Sequence, residues 1–116
     1  MSTKQSTIDY ILDQLRSLDG VSARKMFGEY ALYYDSKVVG LVCNDSLFLK
    51  ITPEGKKIVG KLYAEGFAYP GAKVSLLVEE SIIEDGALFS NLIMATAEAL
   101  PYPKPKKVKV KNTSKG

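Results

Sequence analysis

Residues 21–51, VSARKMFGEYALYYDSKVVGLVCNDSLFLKI, hold four short runs rich in Val, Leu, Phe and Tyr, separated only by the pairs Phe27-Gly28, Asp35-Ser36 and Asn44-Asp45. Breaks that short favour hairpins. Alternation with a period of two then gives each strand a face: Tyr30, Leu32 and Tyr34 on the second, Val39, Leu41 and Cys43 on the third, and Leu47, Leu49 and Ile51 on the fourth. The expected product is an antiparallel meander with one apolar face, which is not stable alone in water and needs a covering layer.

The flanking segments are suited to supply that layer. In residues 6–20, Ile8, Ile11, Leu12, Leu15 and Leu18 recur at helical spacing, with Ser6 and Asp9 placed as a capping-box-like start and Gly20 as a stop. Thr52-Pro53 combines an N-cap with proline at the first helical position, and Ile58, Val59 and Leu62 give the helix that follows, of about ten residues, an apolar stripe. Residues 67–71, Phe-Ala-Tyr-Pro-Gly, read as a loop that leaves its aromatics against the core. Residues 73–78 alternate as a fifth strand at an edge of the sheet, and residues 79–85 connect it to a last helix that Asp85 caps and Pro101 ends. The fold class is therefore α+β, in the order α-β-β-β-β-α-β-α, with the weakest strand at residues 22–26, where Arg24 and Lys25 interrupt the apolar pattern. Gly28 marks a tight turn or bulge that needs a positive φ, a bend between large apolar neighbours that leads into the core.

A chain of 116 residues suits one domain with a real core. Apolar residues make up 46% and no run reaches the ~18 residues that span a bilayer, so no membrane association is expected. The N-terminal stretch, with Asp9 and Asp13 among its apolar residues, does not read as a signal peptide, which points to the cytoplasm. Cys43 is the single cysteine and histidine is absent, which removes the disulfide frameworks, the usual zinc sites and the usual nucleophile and base pairs. A non-enzymatic chain without a cofactor is expected. The net charge of +3 is unevenly placed: residues 104–116 carry six lysines and no acid, which leaves ten basic against 13 acidic residues in 1–103. Residues 1–103 are expected to form the single domain, and residues 104–116, too poor in apolar surface to offset their ordering entropy, a disordered tail.

Arg24-Lys25-Met26-Phe27-Gly28, Tyr30-Ala31-Leu32-Tyr33, the turn at Asp35, Leu41-Val42, Asp45-Ser46-Leu47-Phe48-Leu49-Lys50 and Phe67-Ala68-Tyr69-Pro70 together resemble the N-terminal domain of the TfoX/Sxy family of bacterial competence regulators, over roughly residues 6–101. Glu29 departs from the family pattern, in which a second glycine often follows Gly28. The resemblance implies structural roles for Met26, Phe27, Gly28, Tyr30, Phe48, Tyr69 and Pro70. It also implies transcriptional regulation through protein contact, since family members are described as acting with the cyclic-AMP receptor protein at promoters of DNA-uptake genes. No catalytic or binding residues carry over from it.

Several residues invite a functional reading beside a structural one. Arg24, Lys25 and Lys50 could form a phosphate-contacting strip or be ordinary solubilising groups. Tyr30, Tyr33 and Tyr34 could stack bases, although alternation turns Tyr33 away from the other two, and core packing is the plainer account. Cys43 reads as a small core residue. Lys104, Lys106, Lys107, Lys109 and Lys111 could neutralise phosphates without regard to sequence, or form a solubilising end. Two functions follow: a regulatory module whose partner is another protein, such as a transcription regulator, or a non-specific nucleic-acid binder working through the Lys-rich tail.

Overall fold

Three tight turns set the sheet. In the computed structural model, which describes residues 3–102, Asp35 and Ser36 (φ 54° and 65°) and Asn44 and Asp45 (φ 52° and 63°) both lie in the left-handed region, as do Phe27 (51°) and Gly28 (85°). Positive φ at both central residues is the signature of turns that match the twist of paired strands, so each pair closes a hairpin. Strands β1 (Val21–Met26), β2 (Glu29–Tyr34), β3 (Lys37–Cys43) and β4 (Ser46–Leu49) form the expected meander.

Beyond it the sheet is larger than the sequence suggested. Strand β6 (Val74–Val78) pairs with β4, and a three-residue strand β5 (Glu65–Phe67) pairs outside it, giving six strands in the order β1-β2-β3-β4-β6-β5. The 73–78 strand is therefore internal. Glu65-Gly66-Phe67 is too short to show alternation, and it becomes a strand through the main-chain partners that β6 offers.

All helices lie on one face. Helix α1 (Gln5–Gln14) contributes Ile8 and Ile11, α2 (Pro53–Val59) Val59, α3 (Glu80–Ile83) Ile82 and Ile83, and α4 (Gly86–Ala99) Phe89, Leu92, Ile93 and Ala97, to one cluster with Leu32, Val42, Leu47, Leu49, Leu76 and Val78 of the sheet. Fully burying each such aliphatic side chain is worth roughly 1.5–3 kcal/mol, which is why the sheet carries its helices on this face. Asp85 caps α4 through Leu88 N and Thr52 caps α2 through Gly55 N, as expected. After Val59, Gly60–Leu62 continues as a 3-10 turn, and Leu62 is exposed at its end instead of completing a buried stripe.

Three local expectations are corrected. Helix α1 starts at Gln5, so Ser6 lies inside it and caps nothing. Its first turn is held from the β3–β4 turn, where Asp45 Oδ1 accepts from Lys4 N and from Thr7 Oγ1, both at 2.8 Å. On β3, Leu32 pairs with Gly40 and Tyr33 with Val38, which leaves Val39 as an extra residue in a bulge. The bulge breaks alternation: Val39 and Val42 enter the core, while Leu41 and Cys43 turn to the opposite face. Phe67 and Tyr69 do not rest against the core; they are 61% and 55% exposed.

Candidate interaction surface

The face of the sheet opposite the helices is apolar as well. Directly paired residues point the same way, so Ala31, Leu41, Phe48 and Leu77 form a row across β2, β3, β4 and β6. Gly40 lets two strands approach: a Cβ there would lie 2.3 Å from the Phe48 carbonyl oxygen. Gly66 makes room for the Phe48 ring, whose Cε2 would be 3.0 Å from a Cβ at that position. Among the described residues, no helix covers this row. The loop of residues 68–73 borders it, and between loop and sheet lies a groove of about 910 Å³ lined by Val38, Leu41, Phe48, Tyr69, Lys50 and Lys73. A second hollow of about 670 Å³, walled by Glu29, Cys43 and the same loop, leads toward the β1–β2 turn.

At that turn stands Phe27, 102% exposed, with Met26 beside it at 40%. The bend at Gly28 does have the positive φ the sequence implied, but it carries Phe27 away from the core. The reason is the hairpin itself: both turn residues project beyond the last strand pair, Met26 with Glu29.

The basic residues do not form one strip. Arg24 pairs with Ala31 on the outer face and its guanidinium sits 5.5 Å from the Tyr33 ring centroid. Lys25 pairs with Tyr30 and so faces the other way, and Lys50, just after β4 and three strands further on, rims the groove. Tyr30 is buried and donates to Gln5 Oε1 at 2.9 Å, which removes it from base stacking. Pro70 is exposed in the bordering loop. Lys104, Lys106, Lys107, Lys109 and Lys111 lie outside the described residues. Sequence reasoning passed over Lys37 and Gly40 and read Asp45 only in its turn; the roles of Lys37 and Asp45 depend on partners 38 to 60 residues away, and that of Gly40 on the close approach of β4.

Burial pushes the Cys43 thiol above its ordinary pKa and the nearby Glu29 charge adds to the shift, so the thiol stays protonated near neutrality and is a poor nucleophile. Among the described residues, no three His, Cys, Asp or Glu side chains gather as a metal site, and no helix is long and apolar enough to cross a membrane.

The family model described as the TfoX N-terminal domain matches residues 13–100, nearly the whole folded part. The chain belongs to the TfoX N-terminal domain family. A relative 40% identical over 111 residues, covering 96% of this chain and 95% of its own length, is a Spirochaeta aurantia protein described as an uncharacterized 12.7 kDa protein in the trpE 5′ region. Within the TfoX N-terminal domain, the residues that carried the resemblance now have places. Tyr30 anchors α1, Phe48 sits in the apolar outer row, Gly28 closes the first hairpin, and Phe27 and Tyr69 stand exposed on either side of the outer face.

Proposed function

We propose that this TfoX N-terminal domain is a non-enzymatic regulatory module that acts by contact with another protein through its outer sheet face and the Phe27 tip. The observation that carries the reading is Phe27. An aromatic side chain in the left-handed region is a genuine outlier that costs of order 1–3 kcal/mol, and the turn would be better served by Asn-Gly. Phe27 is also fully exposed, so nothing within the described residues offsets that cost. A side chain that weakens its own fold and touches none of it is accounted for by a contact outside the chain. The apolar row and groove of the outer face offer further contact surface, and the family's described work with a transcription regulator agrees with a protein partner.

The test separates stability from contact. A photoreactive phenylalanine analogue at position 74, beside the groove, is activated in the source cell and the product treated with nuclease. The unaltered chain should give a covalent protein adduct that survives nuclease, and the same analogue at Asn91 on α4 should not. Phe27→Asn should raise thermal stability while weakening the adduct. An adduct unaffected by Phe27→Asn, or one destroyed by nuclease, would refute the reading.

A further inference from the structure

We infer that the outer-face groove takes an acidic, apolar peptide segment of a partner protein; the inference rests on the interaction reading above and names the chemistry of its partner. The groove floor is apolar, built from Val38, Leu41 and Phe48, and at about 910 Å³ it has room for several side chains. Its charged lining residues are Lys50 and Lys73, with no Asp or Glu among them. Both lysines are exposed, and neither is paired with a carboxylate among the described residues.

The end of the last helix borders the groove. Leu100 and Pro101 line a small recess together with Lys37, Val38 and Lys50, so the chain leaves the fold beside one end of the groove. A partner approaching this end meets the positive charge of Lys50 at the rim, a pattern that selects acidic segments and speeds their encounter.

Other occupants fit less well. The chain's own residues 103–116 would set six lysines against Lys50 and Lys73. A second copy would have to offer an acidic and apolar segment, and the runs of that kind at residues 8–15 and 79–85 have Ile8, Ile11, Leu15, Ile82 and Ile83 buried in its own core. Nucleic acid would satisfy the lysines, but stacking of successive bases needs a row of open rings. Here the groove offers two separate rings and no row of them: Phe48 on the floor, braced against Gly66, and Tyr69 on the bordering loop, while Tyr33 on the same face already lies under Arg24.

The experiment selects binders from a phage-displayed library of random dodecapeptides on the immobilised full chain, then maps the winners by NMR titration against the free chain. Selected peptides should carry acidic residues flanking Leu or Phe, and should shift the resonances of Val38, Leu41 and Phe48. Changing their acids to amides, or using the Lys50→Glu/Lys73→Glu variant with its dispersed spectrum confirmed, should weaken binding by about tenfold or more. Neutral or basic winners, winners that map elsewhere, affinity indifferent to the charge changes, or displacement of the peptide by a ten-nucleotide oligo-dT at lower concentration would each overturn the inference. If the adduct at position 74 forms while the selected peptides prove neutral, the partner chemistry fails and the interaction reading stands. If no adduct forms, the interaction reading itself fails.

Discussion

Lys37 Nζ donates to the carbonyl oxygen of Ala97 at 2.8 Å, joining the start of β3 to the last turn of α4. The side chain is buried, and its ammonium also lies 4.3 Å from the centroid of the Tyr102 ring. A cation at a helix C-terminus satisfies an orphan carbonyl and complements the helix dipole. This one does so across 60 residues, so it fastens the final helix to the β2–β3 hairpin. Lys37→Met roughly keeps the length of the side chain and removes the charged donor, leaving the carbonyl of Ala97 with Leu100 N, at 3.1 Å, as its remaining partner. The expected loss is about 2 kcal/mol, read as a lower denaturant midpoint at an unchanged m-value.

Gly28 has φ 85°, a conformation that a β-branched residue adopts only under strain. Gly28→Val should therefore destabilise the fold by about 1–3 kcal/mol in chemical denaturation. Wild-type stability in that variant would mean the β1–β2 turn reshapes without cost.

Gly40 is constrained by contact instead of by φ. An alanine methyl would meet the Phe48 carbonyl oxygen at 2.3 Å, and that atom is main chain, held in the β3–β4 ladder. Gly40→Ala should cost about 3 kcal/mol, the upper end for overpacking, because no side chain can rotate away. It should also disturb the groove, which the amide resonances of Leu41 and Phe48 would report.

Asp45 holds the first turn of α1, and its carboxyl pKa lies below the ordinary value. The main causes are the hydrogen bonds it accepts from Lys4 N and Thr7, with the Lys4 charge a smaller one. A carboxyl whose pKa is lower in the folded state adds stability that is fully present above the unfolded value of about 3.9 and is lost as pH falls through the folded one. Thermal melts of the unaltered chain and of Asp45→Asn should therefore differ at pH ~6, with the variant less stable, and converge as pH drops below ~4. A difference that stays constant with pH would show that the carboxylate charge contributes nothing.

DNA binding, where it occurs, should be indifferent to sequence. Helix α4 has no basic residue, and Lys56 and Lys57 of α2 are suited to phosphate, which positions a protein without reading bases. Titration of promoter and scrambled duplexes should give equal affinities that fall by orders of magnitude between ~50 and ~200 mM salt. Tight binding to one duplex that persists at the higher salt would favour a direct reader of DNA sequence.

The α+β class, the meander and the two outer helices were legible in the chain because their causes are local. Paired turn residues, period-two runs and the caps Thr52 and Asp85 act within a few residues of themselves. What depended on distant partners was not legible. Val39 bulges because of how β3 pairs with β2, and that single extra residue sent Leu41 to the outer face and Val42 to the core. The cap of α1 comes from Asp45 and the anchor of α4 from Lys37, each a polar residue whose sequence neighbourhood says nothing of its partner. Glu65–Phe67 became a strand only because β6 had an unpaired edge to offer. The candidate surface belongs to this second kind. Phe48 and Lys50 stand in the sequence as a strand aromatic and a charge, and only the six-strand sheet, whose described helices cover one side alone, decides that they line one open groove. Local sequence determines which element a residue joins, whereas the side of the sheet that meets solvent is set by where the helices pack.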